Sequence, residues 1–259
     1  MTTDALTAYE RLAPAYDVLT ADYCHERWLD ALEQLALEHG LRGRAVLDVA
    51  CGTGKSFLPL LARGYDVAGC DLSPAMLARA AEKAPAARLV KADMRRLPRL
   101  GAFDLVTCLD DALNYLLEPG DLEAALAGIR RNLAPGGVAI WDLNTLAMYR
   151  SAFATDQLTD REGLLLAWRG ETARAVAAGG PARATVDVFT PQGDGLWRRE
   201  SSVHRQRHWP EPTVRALAVR AGLQILAVHG QHPGAVLEPA LDDLVHQKAV
   251  YVACDAGGR

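Results

Sequence analysis

The stretch Val46-Leu-Asp-Val-Ala-Cys-Gly-Thr-Gly-Lys-Ser56 decides the fold. Its tail, Gly54-Lys55-Ser56, is how a phosphate-binding P-loop ends, but that motif needs a glycine five residues before Gly54. Val49 stands there, inside an apolar run that reads as strand interior. Only Cys51 to Gly54 separate this strand from the helix expected after it, too few residues to wrap a phosphate with backbone N–H groups. The dinucleotide pattern G-x-G-x-x-G also fails, because Phe57 occupies the third position and a bulky residue there blocks close pyrophosphate-side packing. What remains is a buried strand, a short glycine turn and a helix.

Working outward, "RAVLDVA" lacks polar alternation until Asp48, as a central parallel strand buried on both faces would. "YDVAGCD", "ARLVKAD", "FDLVTCLDD" and "GVAIWDLN" read as four more strands, with helices between them such as "SPAMLARAAEKA", N-capped by Ser73 with Pro74 in its first turn. The alternation predicts an α/β fold, a Rossmann-like doubly wound sheet. Such sheets bind ligands at the carboxyl ends of their strands. Asp71, Asp93, Asp110, Asp111 and Asp142 fall there. After residue 145 three successive strands without helices predict an antiparallel insertion, with "TPQGDG" as a hairpin turn. The expected organisation is an N-terminal helical segment over 1–40, a ligand-binding domain over 41–149 and 210–259, and the insertion over 150–209.

Bulk properties narrow the class. The 259 residues are 50% hydrophobic, enough for one substantial core, and the net charge of −4 argues against a general polyanion binder. No apolar run approaches the ~20 residues that span a bilayer, so no membrane role is expected. Five cysteines without CxxC spacing fit reduced thiols and a cytoplasmic location. Cys70 and Cys108 end apolar runs and read as buried.

A strand, a glycine turn, a helix, a second strand and an acid hold a nucleoside, with Asp71 placed to accept both ribose hydroxyls. At these residues the chain resembles the class I S-adenosylmethionine (SAM)-dependent methyltransferases. "LDVACGTGKS", "GCDLSPAML", "KADMRRLP", "FDLVTCLDDALNYL" and "LAPGGVAIWDLNT" look like the family's five motifs. The resemblance implies SAM as cofactor, S-adenosylhomocysteine as product and no metal. It places Ala50, Cys51, Gly52 and Gly54 under the methionine moiety, Asp71 on the ribose, Leu72 and Met76 near the adenine, Asp93 on its amine with Met94 beside the ring, and Leu109 at the cofactor. "YERLAPAYDVLTADYCHERW" is similar to an N-terminal segment that folds over the cofactor, with Tyr16, Tyr23 and Trp28 as lids. One departure is visible: Ala50 replaces a frequent glycine, which is acceptable only with φ < 0. Lys55 then becomes a solvent-facing residue of the first turn.

The whole chain looks most like nucleotide-sugar N-methyltransferases and similar tailoring enzymes of secondary metabolism, and this resemblance implies that the antiparallel insertion covers the substrate pocket. This implies a small-molecule acceptor methylated on nitrogen or oxygen, and a possible homodimer. Asp110, Asn114 and Asn144 are candidate acceptor ligands, while His204 and His208 of "HRQRHW", together with Asp111, are candidate catalytic groups. The Asp-Leu-Asn at 142–144 does not match the adjacent Asp-Asn of magnesium-dependent catechol-type enzymes. His229, His232 and His246 have no neighbours in sequence that assign them. Two alternatives stay open: an RNA or protein methyltransferase, though "LDDALNY" lacks the Asn/Asp-Pro-Pro-aromatic motif of nucleobase amino methylation, and a SAM-binding protein without transfer activity.

Overall fold

The first predicted strand, β1 (Ala45–Val49), pairs in parallel with β2 (Asp66–Asp71) on one side and β4 (Phe103–Cys108) on the other. Val46 and Leu47 point to opposite faces, and both are 0% exposed, so both faces of the sheet are covered. The computed structural model describes residues 3–161 and 163–257; the ends of the expected 1–40 and 210–259 ranges, residues 1–2 and 258–259, lie outside the described residues.

The main sheet continues through β3 (Arg88–Lys91) beyond β2, and through β5 (Leu133–Asn144) beyond β4, all parallel. Beyond β5 three late strands join antiparallel: β12 (Lys248–Asp255), β10 (Leu223–His232) and β11 (Val236–Pro239). The order is β11-β10-β12-β5-β4-β1-β2-β3. On one face α6 (Pro119–Asn132) and α8 (Glu211–Arg220) bury Leu122, Leu126, Ile129, Val214 and Leu217 against Leu47, Val106 and Trp141. On the other, α3 (His25–Glu38), α4 (Leu58–Ala62) and α5 (Pro74–Lys83) bury Leu29, Leu32, Leu60 and Ala80 against Val46, Val67 and Val252. The doubly wound reading therefore holds, and Cys70 and Cys108 are buried within it. The ordering of α5 follows its predicted cap: Ser73 Oγ accepts from Met76 N, and Pro74 opens the helix.

A second, four-stranded antiparallel sheet has the order β6-β7-β8-β9. Its strands are β6 (Gln157–Arg161), β7 (Leu164–Gly170), β8 (Pro181–Gly193) and β9 (Leu196–Arg207). Asp194 and Gly195, both with positive φ, make the predicted hairpin between β8 and β9. Sequence reading missed β6, whose Gln-Leu-Thr-Asp-Arg carries no apolar run, and β11. The chain enters through α1 (Thr3–Leu12) and α2 (Tyr16–Leu19). Leu12 packs with Val186 and Val188 of β8, so the N-terminal segment leans on the second sheet. A short α7 (Leu146–Arg150) follows β5 and buries Tyr149 against Phe153 and Ala184.

Candidate active site

At the carboxyl end of β1 the chain turns through Ala50-Cys51-Gly52-Thr53-Gly54. Gly52 and Gly54 have positive φ, as expected of the turn glycines. A Cβ added at Gly52 would meet nothing within 4 Å, so this loop keeps an open space above its backbone. Gly54 is different: a Cβ there would lie 2.8 Å from the Phe57 ring, so this glycine serves packing and Phe57 plugs the floor. Ala50 has φ 59°. The expectation of φ < 0 is thus corrected. The tight turn imposes the left-handed region on whatever residue stands there, at a cost of ~1–2 kcal/mol for an L side chain. Below the loop, buried Asp48 accepts from Ser56 Oγ at 2.5 Å and Thr107 Oγ1 at 2.7 Å. Burial pushes its carboxyl up to about 7, although both hydroxyls act to lower it.

Asp71 closes β2 facing this loop. Its Oδ2 accepts from Gly52 N at 2.9 Å and its Oδ1 from Ser73 N at 2.8 Å. Each oxygen keeps lone-pair capacity for a ligand hydroxyl. Met76 and Leu109 supply apolar wall to the same cleft. A glycine loop with open space, an acid fixed by backbone donors and an apolar wall fit the nucleoside and methionine parts of SAM.

The strand ends of β4 and β5 build the neighbouring wall. Asp110 and Asp111 both have positive φ (58° and 55°). This turn aims their two backbone N–H groups at the buried carboxylate of Asp142, at 2.8 and 2.6 Å. Lys248, 1% exposed, donates to Asp111 Oδ1 at 2.9 Å and Asp142 Oδ1 at 3.0 Å. Burial alone would lower its pKa, but the Asp111 and Asp142 carboxylates raise it well above the usual lysine value, so it is charged. On the other side His25 Nε2 lies 2.9 Å from Asp110 Oδ2. Burial would raise the Asp110 carboxyl; the hydrogen bond and charge of His25, with Lys248 and Lys55, hold it below the ordinary value.

The roof comes from α1 and α2. Glu10 accepts from Ser73 Oγ, Asp17 accepts from Thr53 Oγ1 and Lys83 Nζ, and Tyr9 donates to Tyr115 Oη at 3.0 Å. Lys55 is not the solvent-facing residue expected; its Nζ donates to Thr20 O at 2.7 Å and Thr20 Oγ1 at 2.9 Å. It ties the glycine loop to the roof.

Two adjoining spaces result. One, of about 50 Å³, lies along the glycine loop and Asp71. The other, of about 380 Å³, opens between the roof, the β4–β5 ends and the second sheet, where Phe153, Trp168, His204 and Gln206 line it. Tyr9, Tyr16, His25, Asp110 and Tyr115 wall both. The junction of the two spaces therefore carries one imidazole–carboxylate pair, His25 and Asp110.

The expected residues distribute unevenly over these walls. Tyr16, Ala50, Cys51, Gly52, Asp71, Met76 and Leu109 line the cleft. Leu72, Asp93 and Met94 line neither space: Asp93 caps a 3-10 turn and is clamped by Arg95 at 2.6 Å, and Met94 is core. Trp28 is 2% exposed and packs with Leu29 and Leu32 in the core, so its position corrects the lid expectation; Tyr23 does line the chamber. Asp110, Asp111 and Asn144 line the chamber, whereas Asn114 braces the fold, accepting from Asn144 N and donating to Arg207 O.

Of the predicted catalytic groups, Asp111 has both oxygens engaged, by Lys248 and by Gln206 at 2.6 Å. His204 lines the chamber, but Nδ1 meets Tyr115 Oη at 2.7 Å and Nε2 meets Ser202 Oγ at 3.1 Å. Burial lowers its pKa to about 4, which makes it a weak base. His208 lies past the end of β9, 1% exposed, between Gly179 N and Asp243, and reaches neither space. His25 was missed. Nothing in "CHERW" marks it, because its partner Asp110 is 85 residues away in sequence.

Comparison with known proteins agrees with this geometry. A family described as a methyltransferase domain matches residues 46–137. The dTDP-3-amino-3,4,6-trideoxy-alpha-D-glucopyranose N,N-dimethyltransferase of Streptomyces venezuelae is 31% identical over 196 residues, covering 73% of this chain and 79% of that one. The fold matches a crystal structure of a SAM-dependent methyltransferase from Clostridium acetobutylicum, with TM-score 0.79, 24% identity, and 96% and 99% of the two chains covered. The sugar N-methyltransferase KedS8 from Streptoalloteichus matches with TM-score 0.70 and 25% identity over 92% of both chains. Sequence, fold and site converge, and the chain belongs to the class I SAM-dependent methyltransferases.

Proposed function

We propose that this enzyme methylates an amine nitrogen of a small metabolite, of the amino-sugar class, in the chamber beneath the second sheet. One observation carries the choice of nitrogen. Three polar atoms on chamber-lining residues, each closed off from solvent in this conformation, have no hydrogen-bond partner among the described residues: His25 Nδ1, Asp110 Oδ1 and Asn144 Oδ1. With the His25 Nε2 proton donated to Asp110 Oδ2, all three are acceptors. A protonated or primary amine brings two or three donors to such a site, while a hydroxyl brings one. Leaving buried acceptors unpaired costs ~1–3 kcal/mol each, so an amine is the better match. The chamber of about 380 Å³ matches the size of small-molecule sites.

The relative that acts on an amino sugar nucleotide supports the acceptor class. SAM supplies an electrophilic methyl group on a sulfonium. The chain's own work is then threefold. The glycine loop and Asp71 orient the cofactor. The α1–α2 roof and the second sheet exclude water and align the amine, which can contribute several kcal/mol, up to ~7–11. His25 Nδ1 takes the amine proton so that the nitrogen lone pair is free, and Asp110 stabilises the imidazolium that forms.

The test is transfer from tritium-methyl SAM to parallel pools of nucleotide-linked amino sugars, simple amines, catechols and total RNA. Label in the amine pools is expected. Label confined to catechols or RNA would refute the reading.

A further inference from the structure

At the far edge of the main sheet, three side chains that sequence reading left unassigned or unnoticed come together. His232 ends β10, Glu238 lies on β11 and His246 sits in the following loop. Glu238 Oε2 is 2.9 Å from His232 Nε2 and 3.3 Å from His246 Nε2, and the three ligand atoms all lie within 4.8 Å of one another. We propose that this His232–Glu238–His246 cluster is a binding site for a divalent transition-metal ion of the zinc type, separate from the methyl-transfer chemistry.

The donor set and spacing fit that ion. Two imidazoles and one carboxylate with an open position suit zinc. Tetrahedral coordination at ~2.0–2.2 Å places ligand atoms about 3.3–3.6 Å apart. The two distances to Glu238 need only a few tenths of an ångström of adjustment. His232 and Glu238 are partly exposed, with side chains at 35% and 59%, so an ion can enter and retain water.

Two further features fix the buried ligand. A Cβ added at Gly230 would fall 2.2 Å from the His246 ring, so the ring lies directly on the β10 backbone and only glycine admits it. Its Nδ1 faces both Asp242 N, at 2.9 Å, and Asp242 O, at 3.1 Å. This backbone pair serves either tautomer. With Nδ1 accepting from Asp242 N–H, Nε2–H donates to Glu238. With the proton on Nδ1 and donated to Asp242 O, the Nε2 lone pair is free for a metal, oriented by the outer hydrogen bond that metal-binding histidines normally have.

The cluster anchors the loop that leads into the active site. Asp243 holds His208 Nε2 and Leu146 N, the His246 carbonyl accepts from Thr145 Oγ1, and two residues later Lys248 reaches Asp111 and Asp142. A bound ion would therefore staple the β10–β11 hairpin to the segment that positions Lys248.

The experiment uses tag-free, chelator-treated full-length protein and Zn²⁺ alone, titrated against a chromophoric chelator, with Co²⁺ absorption as a second readout. One equivalent of Zn²⁺ and tetrahedral Co²⁺ bands are expected. His232→Gln, at a half-exposed position where folding is not at stake, and Glu238→Gln should each weaken binding at least 10-fold and abolish the Co²⁺ bands. Gly230→Ala should weaken it by displacing His246. The absence of stoichiometric binding, or binding unaltered by His232→Gln and Glu238→Gln, would overturn the proposal and leave the cluster as a hydrogen-bonded clamp.

Discussion

His25→Gln separates the base from everything else in the site. Glutamine retains an N–H donor for Asp110 Oδ2, which His25 now meets at 2.9 Å, but it has no basic nitrogen. A positioned general base contributes ~10²–10⁴-fold. The lower end applies here, for a structural reason. Asp110 stays in place with an unpartnered Oδ1, and losing His25 removes the first interaction that holds its carboxyl low. Asp110 then becomes a substitute base of poor strength. The expected loss in kcat/KM is therefore about 10²-fold, or about 2.7 kcal/mol in the barrier. SAM affinity should change little, because Gly52, Asp71 and Met76 are untouched. The assay is steady-state transfer from labelled SAM, with SAM binding by calorimetry. A fall of less than about 3-fold would refute the base assignment. A parallel collapse of SAM binding would show that His25 positions the cofactor instead.

Ala50→Gly relieves a left-handed alanine at φ 59°; strain of ~1–2 kcal/mol less ~0.4–1 for the more flexible unfolded chain leaves about 0.5–1 kcal/mol of stabilisation, read as a rise of about 2 °C in Tm. Lys248→Met leaves the Asp142 carboxylate, 0% exposed, without its cation and should destabilise by ~3–5 kcal/mol in denaturant unfolding. Asp48 carries a pKa raised to about 7 in the fold against an ordinary 3.8, so the native state holds a proton that the unfolded chain has lost. Its contribution is fully present below pH ~4 and is lost as pH rises through 7, on the order of 4 kcal/mol. Asp48→Asn should therefore flatten that part of the stability–pH curve, and a variant whose curve parallels the wild type would show that Asp48 is ionised throughout.

The floor of the site was legible in the sequence because its parts are local. Asp48, the glycine turn and Asp71 belong to one β-turn-α-β unit, so period and spacing placed the turn and Asp71 at the strand ends, while the roles of the turn residues toward the cofactor came from the family resemblance. The antiparallel sheet was legible in outline from the loss of helices after residue 145, though β6, short and polar, was not, and neither was β11, only four residues long, at the edge of the main sheet. What could not be read was which side chains meet from distant segments. His25 finds Asp110 across 85 residues, Tyr115 meets His204 across 89, and Lys248 reaches Asp111 across 137. The alternation of "HRQRHW" pointed His204 and Gln206 inward correctly, but β9 stops at Arg207, so His208 leaves the pattern for a structural place beside Asp243.

The same distinction explains the narrow cofactor cleft. Its floor is fixed by β1 and β2, but its height is set by the roof, whose polar ties to the floor include Glu10 to Ser73, Asp17 to Thr53 and Lys83, and Lys55 to Thr20. A space of about 50 Å³ is below the ~300 Å³ or more that small-molecule sites occupy, so the roof is expected to lift or slide as SAM is seated. Partly exposed ion pairs and hydrogen bonds are worth ~0–1 kcal/mol each, which permits such motion, whereas the apolar seat of Leu12 on Val186 and Val188 keeps the segment attached to the second sheet. The roof should thus move as a flap tethered on its acceptor side. Amide exchange in residues 3–24 should slow on SAM binding, and Asp17→Ala should speed it in the free enzyme while leaving the β8–β9 hairpin unchanged. Equal exchange with and without SAM would mean that the cofactor enters by another route.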